Sequence, residues 1–586
     1  MNGTRAAAQF ADVFDEVTVF SRSMGARAPL ETELANGDQD ASVVQVPLRE
    51  PLRSVASFYL NRLTIVALAF GVTIRLQQFL FRRSLWLDEA LLASNIVRRS
   101  YGDLLQPLDL QQAAPIGFLW LQRTAIELFG NSEYALRLVP LLFGLASLAL
   151  FVRLARRVLS TRVLPIAVII FVLSPLLTYY SNEAKQYIGD VFAMLLVLNS
   201  AFDVQRAPRI TARSWLTLTA VGAIAVWISH PAVLVLAGIG SLLLCSRVRR
   251  REWKNAFAIG SAGVIWLCSF ASVWGYNKRS VDAYPAFKEY WKAGFAPEEA
   301  SIGDRFSWLA GRFTDLISSD LGVSLTAIAL TLCGIGAVAL VLRRRGFQLA
   351  MLISPIPFLI LAAGAQMYPF QGRLVLFLVP TVVLLLVSAL EWPGRIGRRA
   401  ILAGVSIGLA IACVAPASET IGTYLQPRSF NEARPVFQYV ASQWQPGDQL
   451  YVQGAGGGAY EYYGPLFHLK ASGFLFPRSD TPCDLHKGLR PLTRATRVWL
   501  VFAHRMSTRP ANEREIFLSM MRVVSRPLAG FTANGAAAYL FDPHAQAPDP
   551  DGALVIKDPS TLCAGIRDRW FSVPAETRQK EAASPP

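Results

Sequence analysis

Long apolar runs separated by short polar segments fill residues 58–418, and a different rhythm follows them. A hydrocarbon core about 30 Å thick needs about 20 mostly apolar residues to cross as a helix. Eleven stretches approach that length: 58–78, 135–153, 163–180, 187–204, 214–230, 231–246, 257–275, 323–342, 348–366, 374–390 and 400–418. Helices are predicted throughout, because lipid offers no partner to an unpaired backbone group. Residues 115–129 (PIGFLWLQRTAIELF) are shorter and carry Arg123 and Glu127, which fits an interfacial helix. Beyond 430 the apolar runs turn short and alternating: QLYVQ at 449–453, RVWLVFA at 497–503, AAYLF at 537–541. Helix-like stretches at 430–444 and 511–525 lie between them, the pattern of a small α/β domain.

The expected fold is a polytopic α-helical membrane protein of about 11 spans with a C-terminal soluble α/β domain. Residues 1–56 form a polar tail without the apolar run of a signal peptide. Residues 57–420 form the membrane domain with large loops at 82–133 and 276–322, residues 421–545 the α/β domain, and 546–586 a flexible tail.

Composition agrees with this reading. Of 586 residues, 53% are hydrophobic and 17% charged, with 34 Phe and 13 Trp. Soluble chains carry about 25% charge. Disorder is excluded and an ordinary soluble enzyme is disfavoured. The net charge of +16 raises the question of a nucleic-acid partner. Its distribution answers it. With the N-terminus inside, the loops 153–162, 206–213, 247–254, 343–345 and 391–399 hold 18 Lys/Arg against two acids, Glu252 and Glu391. The opposite loops hold 13 Lys/Arg against 14 acids. This is the positive-inside pattern, and no nucleic-acid partner is needed. It sets the expected localisation: a multi-pass protein of the cytoplasmic membrane, with its large loops and C-terminal domain on the outer, periplasmic side.

The cysteines fit that side assignment. Cys245, Cys268, Cys333 and Cys413 fall in predicted spans, where a thiol behaves as a small apolar group. Cys483 and Cys563 fall in the outward-facing region, where oxidation is permitted, and are the expected disulfide, with two free thiols as the alternative. No cysteine or histidine cluster has zinc spacing. Gly454 to Gly458 (GAGGG) follows a predicted strand. It reads as a strand-to-helix turn; the alternative, a phosphate-cradling loop, lacks the full glycine spacing and any Walker lysine.

Candidate chemistry gathers at one membrane face. Asp88 and Glu89 open an amphipathic helix after the first span, behind Trp86. Arg137 starts the second span. Glu183, Lys185 and Tyr187 lie in YYSNEAKQY between the third and fourth spans. His230 joins the fifth and sixth, and Tyr368 and Arg373 precede the tenth. Polar groups at this depth are functional candidates. Each also has a plainer role: helix-dipole acids, a solvated turn, interfacial anchors or aromatic-belt residues. Together they can do more. A carboxylate can take a proton from an acceptor hydroxyl, while Arg and Lys neutralise a leaving phosphate.

These motifs resemble the C-type-fold membrane glycosyltransferases, in the branch of the protein O-mannosyltransferases and the lipid A aminoarabinose transferase. The likeness rests on LWLDEA after the first span, on AAPIGFLWLQRTAIELFGNSEYALRLVPLLFGL, on YYSNEAKQY, and on Arg373 with the downstream Pro380. It covers about residues 55–420. The resemblance implies an inverting transfer of a sugar from a polyprenyl-phosphate donor to a lipid, glycan or protein hydroxyl. Asp88 would be the catalytic base with Glu89 beside it, and Glu183 would help position the acceptor or the base. Lys185, Arg137 and Arg373 would hold the donor phosphate, and His230, Tyr187 and Tyr368 would be possible substrate-binding groups. No cofactor is required; the acidic pair could hold a divalent cation, but nothing demands one. The chain departs from the family pattern twice. Ala113-Ala114-Pro115 stands where relatives often have His or Lys before Pro-Pro, and Lys185 replaces the more usual Arg. Two other classes compete: a transporter or flippase of lipid-linked sugars, for which SPIPF at 354–358 could be a broken helix, and a non-catalytic assembly factor.

Overall fold

In the computed structural model, the described residues are 49–323, 325–394, 398–427, 429–475, 496–504, 514, 518 and 527–542. The chain divides into Met1–Val55 and Ala56–Pro586. Of the first unit only the opening turns of the helix Arg49–Leu80 are described. Cys483 and Cys563, and the predicted helix at 511–525 apart from residues 514 and 518, lie outside the described residues.

The second unit is a polytopic helical membrane protein. Among the described residues eight helices are long and apolar enough to cross a membrane: Tyr59–Leu80, Glu133–Val158, Tyr187–Arg206, Ala232–Arg249, Trp253–Asp282, Gly346–Gly364, Gly372–Glu391 and Arg399–Leu425. Ala212–Ile228 and Thr326–Leu342 are apolar but shorter. These ten correspond to ten of the eleven expected stretches. The eleventh, 163–180, is broken into Leu164–Val172 and Pro175–Tyr180. Pro175 supplies the reason, since it has no N–H to continue the first helix. Pro355 divides Gly346–Gly364 in the same way, at Ser354.

Beyond the spans the chain builds a five-stranded sheet. Its strands are β1 (Gln449–Gln453), β2 (Ala471–Leu475), β3 (Val498–Phe502), β4 (Pro527–Ala533) and β5 (Ala536–Phe541). The order is β2-β1-β3-β5-β4. β1 pairs in parallel with β2 and β3, while β5 pairs antiparallel with β3 and β4. β3 is buried along its whole length, as a central strand of apolar residues should be.

The α/β domain shares its core with loop 82–133. Leu85, Leu92 and Ile96 of that loop, Phe118 of the helix Ile116–Phe129, and Phe437, Tyr463 and Trp499 of the domain form one buried cluster. Polar contacts reinforce the joint. Glu133 accepts hydrogen bonds from Arg82 (3.2 Å), Arg434 (3.1 Å) and the Tyr463 hydroxyl (3.0 Å). The glycine-rich turn serves this packing: a Cβ on Gly458 would lie 2.4 Å from Leu87 Cδ1. The helix Gly457–Leu466 approaches Leu87–Arg98 that closely because Gly458 has no side chain.

Candidate active site

Asp88 and Glu89 are the first and second residues after Leu87, which opens the helix Leu87–Arg98. Neighbouring helix residues point about 100° apart. The two acids therefore meet different surroundings.

Glu89 is completely buried. Its Oε1 accepts from Arg137 Nε (2.9 Å) and the Ala184 amide (2.7 Å). Its Oε2 accepts from Arg137 Nη2 (2.7 Å) and the Trp86 amide (2.9 Å). Burial alone would raise its pKa; the bidentate Arg137, with Arg83 beyond, holds it below the ordinary value. Arg137 donates its remaining hydrogen bonds to the carbonyls of Arg83 (2.6 Å) and Ser84 (3.1 Å). The pair ties the helix Leu87–Arg98, the span Glu133–Val158 and the loop 181–186 together. Glu89 has its acceptor capacity filled by protein, and Arg137 makes four hydrogen bonds.

Asp88 is different. Its side chain keeps 26% of its exposure, and Oδ2 accepts one hydrogen bond, from Arg373 Nη2 at 2.6 Å. Among the described residues Oδ1 accepts none. Burial pushes the carboxyl up, but Lys185 and Arg373 outweigh it and hold Asp88 below the ordinary range. It is a carboxylate at neutral pH with a free lone pair. Arg373 sits in a tight helical turn, Gly372–Leu378, ahead of Pro380. Its guanidinium lies 5.1 Å from the Tyr187 ring and 5.6 Å from that of Trp291. Its buried Nε has no partner among the described residues.

Lys185 is 4% exposed and donates to Gln112 Oε1 at 2.6 Å. Gln112 is held by donating in turn to the carbonyls of Leu110 (3.3 Å) and Gln111 (3.1 Å). Leu110 and Gln111 both adopt left-handed backbone, at φ 61° and 53°. Side-chain-bearing residues resist that region at about 1–2 kcal/mol each, and such strain clusters at functional sites. Burial lowers the Lys185 pKa, opposed by Asp88. Glu183 is also buried, and its Oε2 has no partner among the described residues. Burial, then the charge of Glu89, pushes this carboxyl up to about 7.

The loop 181–186 is anchored from below. Arg75, fully buried in the first span, donates to Ser181 Oγ (3.1 Å) and to the Gly71 carbonyl of its own helix (2.9 Å). From above, Arg83 donates to the Asn182 carbonyl (3.0 Å) and stacks 4.3 Å from the Tyr179 ring.

The structure thus gathers Asp88, Glu183, Lys185, Arg373 and Tyr187. It gives Glu89 and Arg137 a different place from the one expected: paired with each other, not open to a substrate. The Tyr368 hydroxyl donates to the Leu374 carbonyl at 2.8 Å, beside the turn that carries Arg373. His230 is half-buried in the turn after Ser229. Gln112, Trp291 and Arg75 went unnoticed in the sequence; only Arg75, a charge inside an apolar span, carried a readable signal. His504 was missed as well. It follows β3, is 9% exposed, and stands edge-on to Trp86 with ring centroids 4.5 Å apart. Among the described residues no group of three or more His, Cys, Asp or Glu could hold a metal ion.

No protein of curated function matches the chain in sequence. Among solved structures, ArnT from Cupriavidus metallidurans bound to undecaprenyl phosphate is similar at 14% identity, with 83% of this chain and 99% of that one covered and a TM-score of 0.49. The archaeal oligosaccharyltransferase AglB from Archaeoglobus fulgidus, in complex with an inhibitory peptide and a dolichol-phosphate, is similar at 10% identity, with coverages of 85% and 75% and a TM-score of 0.46. Likenesses this distant leave the reading on the site's own geometry and on one family match. That match is to dolichyl-phosphate-mannose-protein mannosyltransferase over residues 113–276, the stretch holding Arg137, Glu183 and Lys185, and it meets the resemblance expected from the motifs.

Proposed function

We propose that this protein is an inverting glycosyltransferase that moves a sugar from a polyprenyl-phosphate donor to a hydroxyl of a lipid, glycan or protein. The observation that carries the reading is the unequal treatment of the acidic pair: Glu89 is locked to Arg137, while Asp88 is left half-open between Arg373 and Lys185. Asp88 Oδ1 accepts the acceptor hydroxyl's proton as that oxygen attacks the anomeric carbon. The sugar–phosphate bond breaks on the opposite face, which inverts the centre. The electron pair leaves with the polyprenyl phosphate, whose charge Arg373 Nε and Lys185 Nζ neutralise. Two cations stand against the Asp88 carboxylate and a Glu183 carboxyl raised to about 7, so the site keeps positive charge for a phosphate while Glu183 is protonated. Glu183, buried near Asp88, helps position the acceptor or the base. Glu89 and Arg137 hold the frame, and Tyr187 backs Arg373.

No metal enters this scheme. Both Glu89 oxygens are taken, so the acidic pair could share a cation only by dismantling the Arg137 contact. The charge asymmetry of the loops supports a reaction on the outer face of the cytoplasmic membrane, where a polyprenyl-linked donor is accessible.

The test uses purified protein in lipid nanodiscs with a panel of radiolabelled polyprenyl-phosphate sugars and envelope extract as acceptor pool. Consumption of one donor by wild type, lost in Asp88→Asn, is the expected result. Folded wild-type protein that consumes none would sink the reading and shift weight to lipid translocation.

A further inference from the structure

His504 belongs to the α/β domain, yet it stands at the edge of the Asp88 site, close enough for the Asp88 charge to act on it. It is fixed there from several sides. The preceding residue, Ala503, accepts a hydrogen bond on its carbonyl from the Asn431 amide. The imidazole packs edge-on against Trp86, which also meets Phe430 at 5.9 Å. Trp86 is two residues before Asp88, so the ring and the carboxylate are held by one turn of chain. His504 Nδ1 is buried and, among the described residues, has no hydrogen-bond partner. An orphaned buried polar atom is costly, by about 1–3 kcal/mol, and calls for a partner. Burial holds the imidazole pKa down to about 4, so at neutral pH it is uncharged and offers a hydrogen bond, not a second cation.

We infer that His504 is an acceptor-binding residue, through which the α/β domain holds the incoming hydroxyl compound beside Asp88. This rests on the transferase reading above. The Trp86 and Phe430 rings give the acceptor an apolar wall, and His504 Nδ1 gives it a polar anchor.

Transfer is measured in nanodiscs against varied envelope extract at fixed donor, and against varied donor at fixed extract. His504→Phe keeps a ring against Trp86 but removes both nitrogens. It should raise the extract concentration for half-maximal transfer about tenfold, the worth of one hydrogen bond, and leave the donor half-saturation unchanged. His504→Asn, whose amide can reach the Nδ1 position, should recover most of the loss. His504→Phe with wild-type dependence on extract would overturn the inference while leaving the transferase reading intact. A loss shared equally by donor and extract terms, and not recovered by His504→Asn, would overturn it too. No transfer by folded wild type would remove the transferase reading itself, and this inference with it.

Discussion

Asp88 and Glu89 are consecutive residues with the same chemistry, and the fold uses them for opposite purposes. Glu89 has no exposed surface and four hydrogen bonds, from Arg137 twice, Ala184 and Trp86. Asp88 keeps a quarter of its exposure and one ion pair, with Arg373. A saturated carboxylate has nothing left to offer a substrate. A half-paired one beside a second cation is ionised, oriented and still able to accept a proton. In the proposed scheme the difference separates the frame of the site from its chemistry, and it follows from about 100° of helix rotation.

Asp88→Asn should break this comparison most clearly on the chemical side. Donor consumption should fall about a thousandfold or more, equivalent to about 4 kcal/mol of barrier, with the thermal midpoint in nanodiscs nearly unchanged. Retained turnover would remove Asp88 as the base. Glu89→Gln should do the reverse, lowering stability by about 3 kcal/mol because Arg137 is left as an uncompensated buried charge. The double change Glu89→Gln with Arg137→Gln should be milder than Glu89→Gln alone. If thermal melts show the two effects simply adding, the pair is not the unit described here.

Gly144→Ala sharpens the same contrast from below. A Cβ there would sit 2.2 Å from Ser181 Oγ and 2.6 Å from its Cβ, so the loop carrying Glu183 and Lys185 must shift. About 2 kcal/mol of destabilisation is expected, with a slower enzyme among the molecules that fold. The effect most gradual to read is on pH. The Glu183 carboxyl is raised from its ordinary 4.5 to about 7, so between those values the folded state binds more protons than the unfolded one. Stability therefore falls as pH rises through that window, by at most about 1.4 kcal/mol per pH unit. Glu183→Gln should flatten the slope; melts across the window that keep the wild-type slope would assign it elsewhere.

The periodicity of the chain made ten apolar helices legible, and the motifs picked out Asp88, Lys185 and Arg373 together. The break in 163–180 was readable too, had Pro175 been weighed against the length of the apolar run. Other features had no local signal. The apolar runs in QLYVQ and RVWLVFA report that a strand is buried but not which partner covers it. So the shared core of the α/β domain with Leu85, Leu92 and Phe118 appears only in three dimensions. His504 lies more than 400 residues from Asp88 in sequence and follows an ordinary buried strand. The division between Glu89 and Asp88 was half-visible. Their angular separation on a helix is fixed by geometry, but which face meets Arg137 depends on a span 48 residues away.

Arg75 bears on how the protein is made. Its guanidinium reaches Ser181 across 106 residues of sequence, and before those residues exist it has only the Gly71 carbonyl of its own helix. Arg75 lies five residues before Leu80, the end of its span, where a long charged side chain can extend toward the interface until a partner is available. Ser181 can take up Arg75 only once the chain has been made through the loop 181–186. One arginine thus ties the first span to a loop made more than a hundred residues later, so the partner that helps bury its charge arrives late in synthesis.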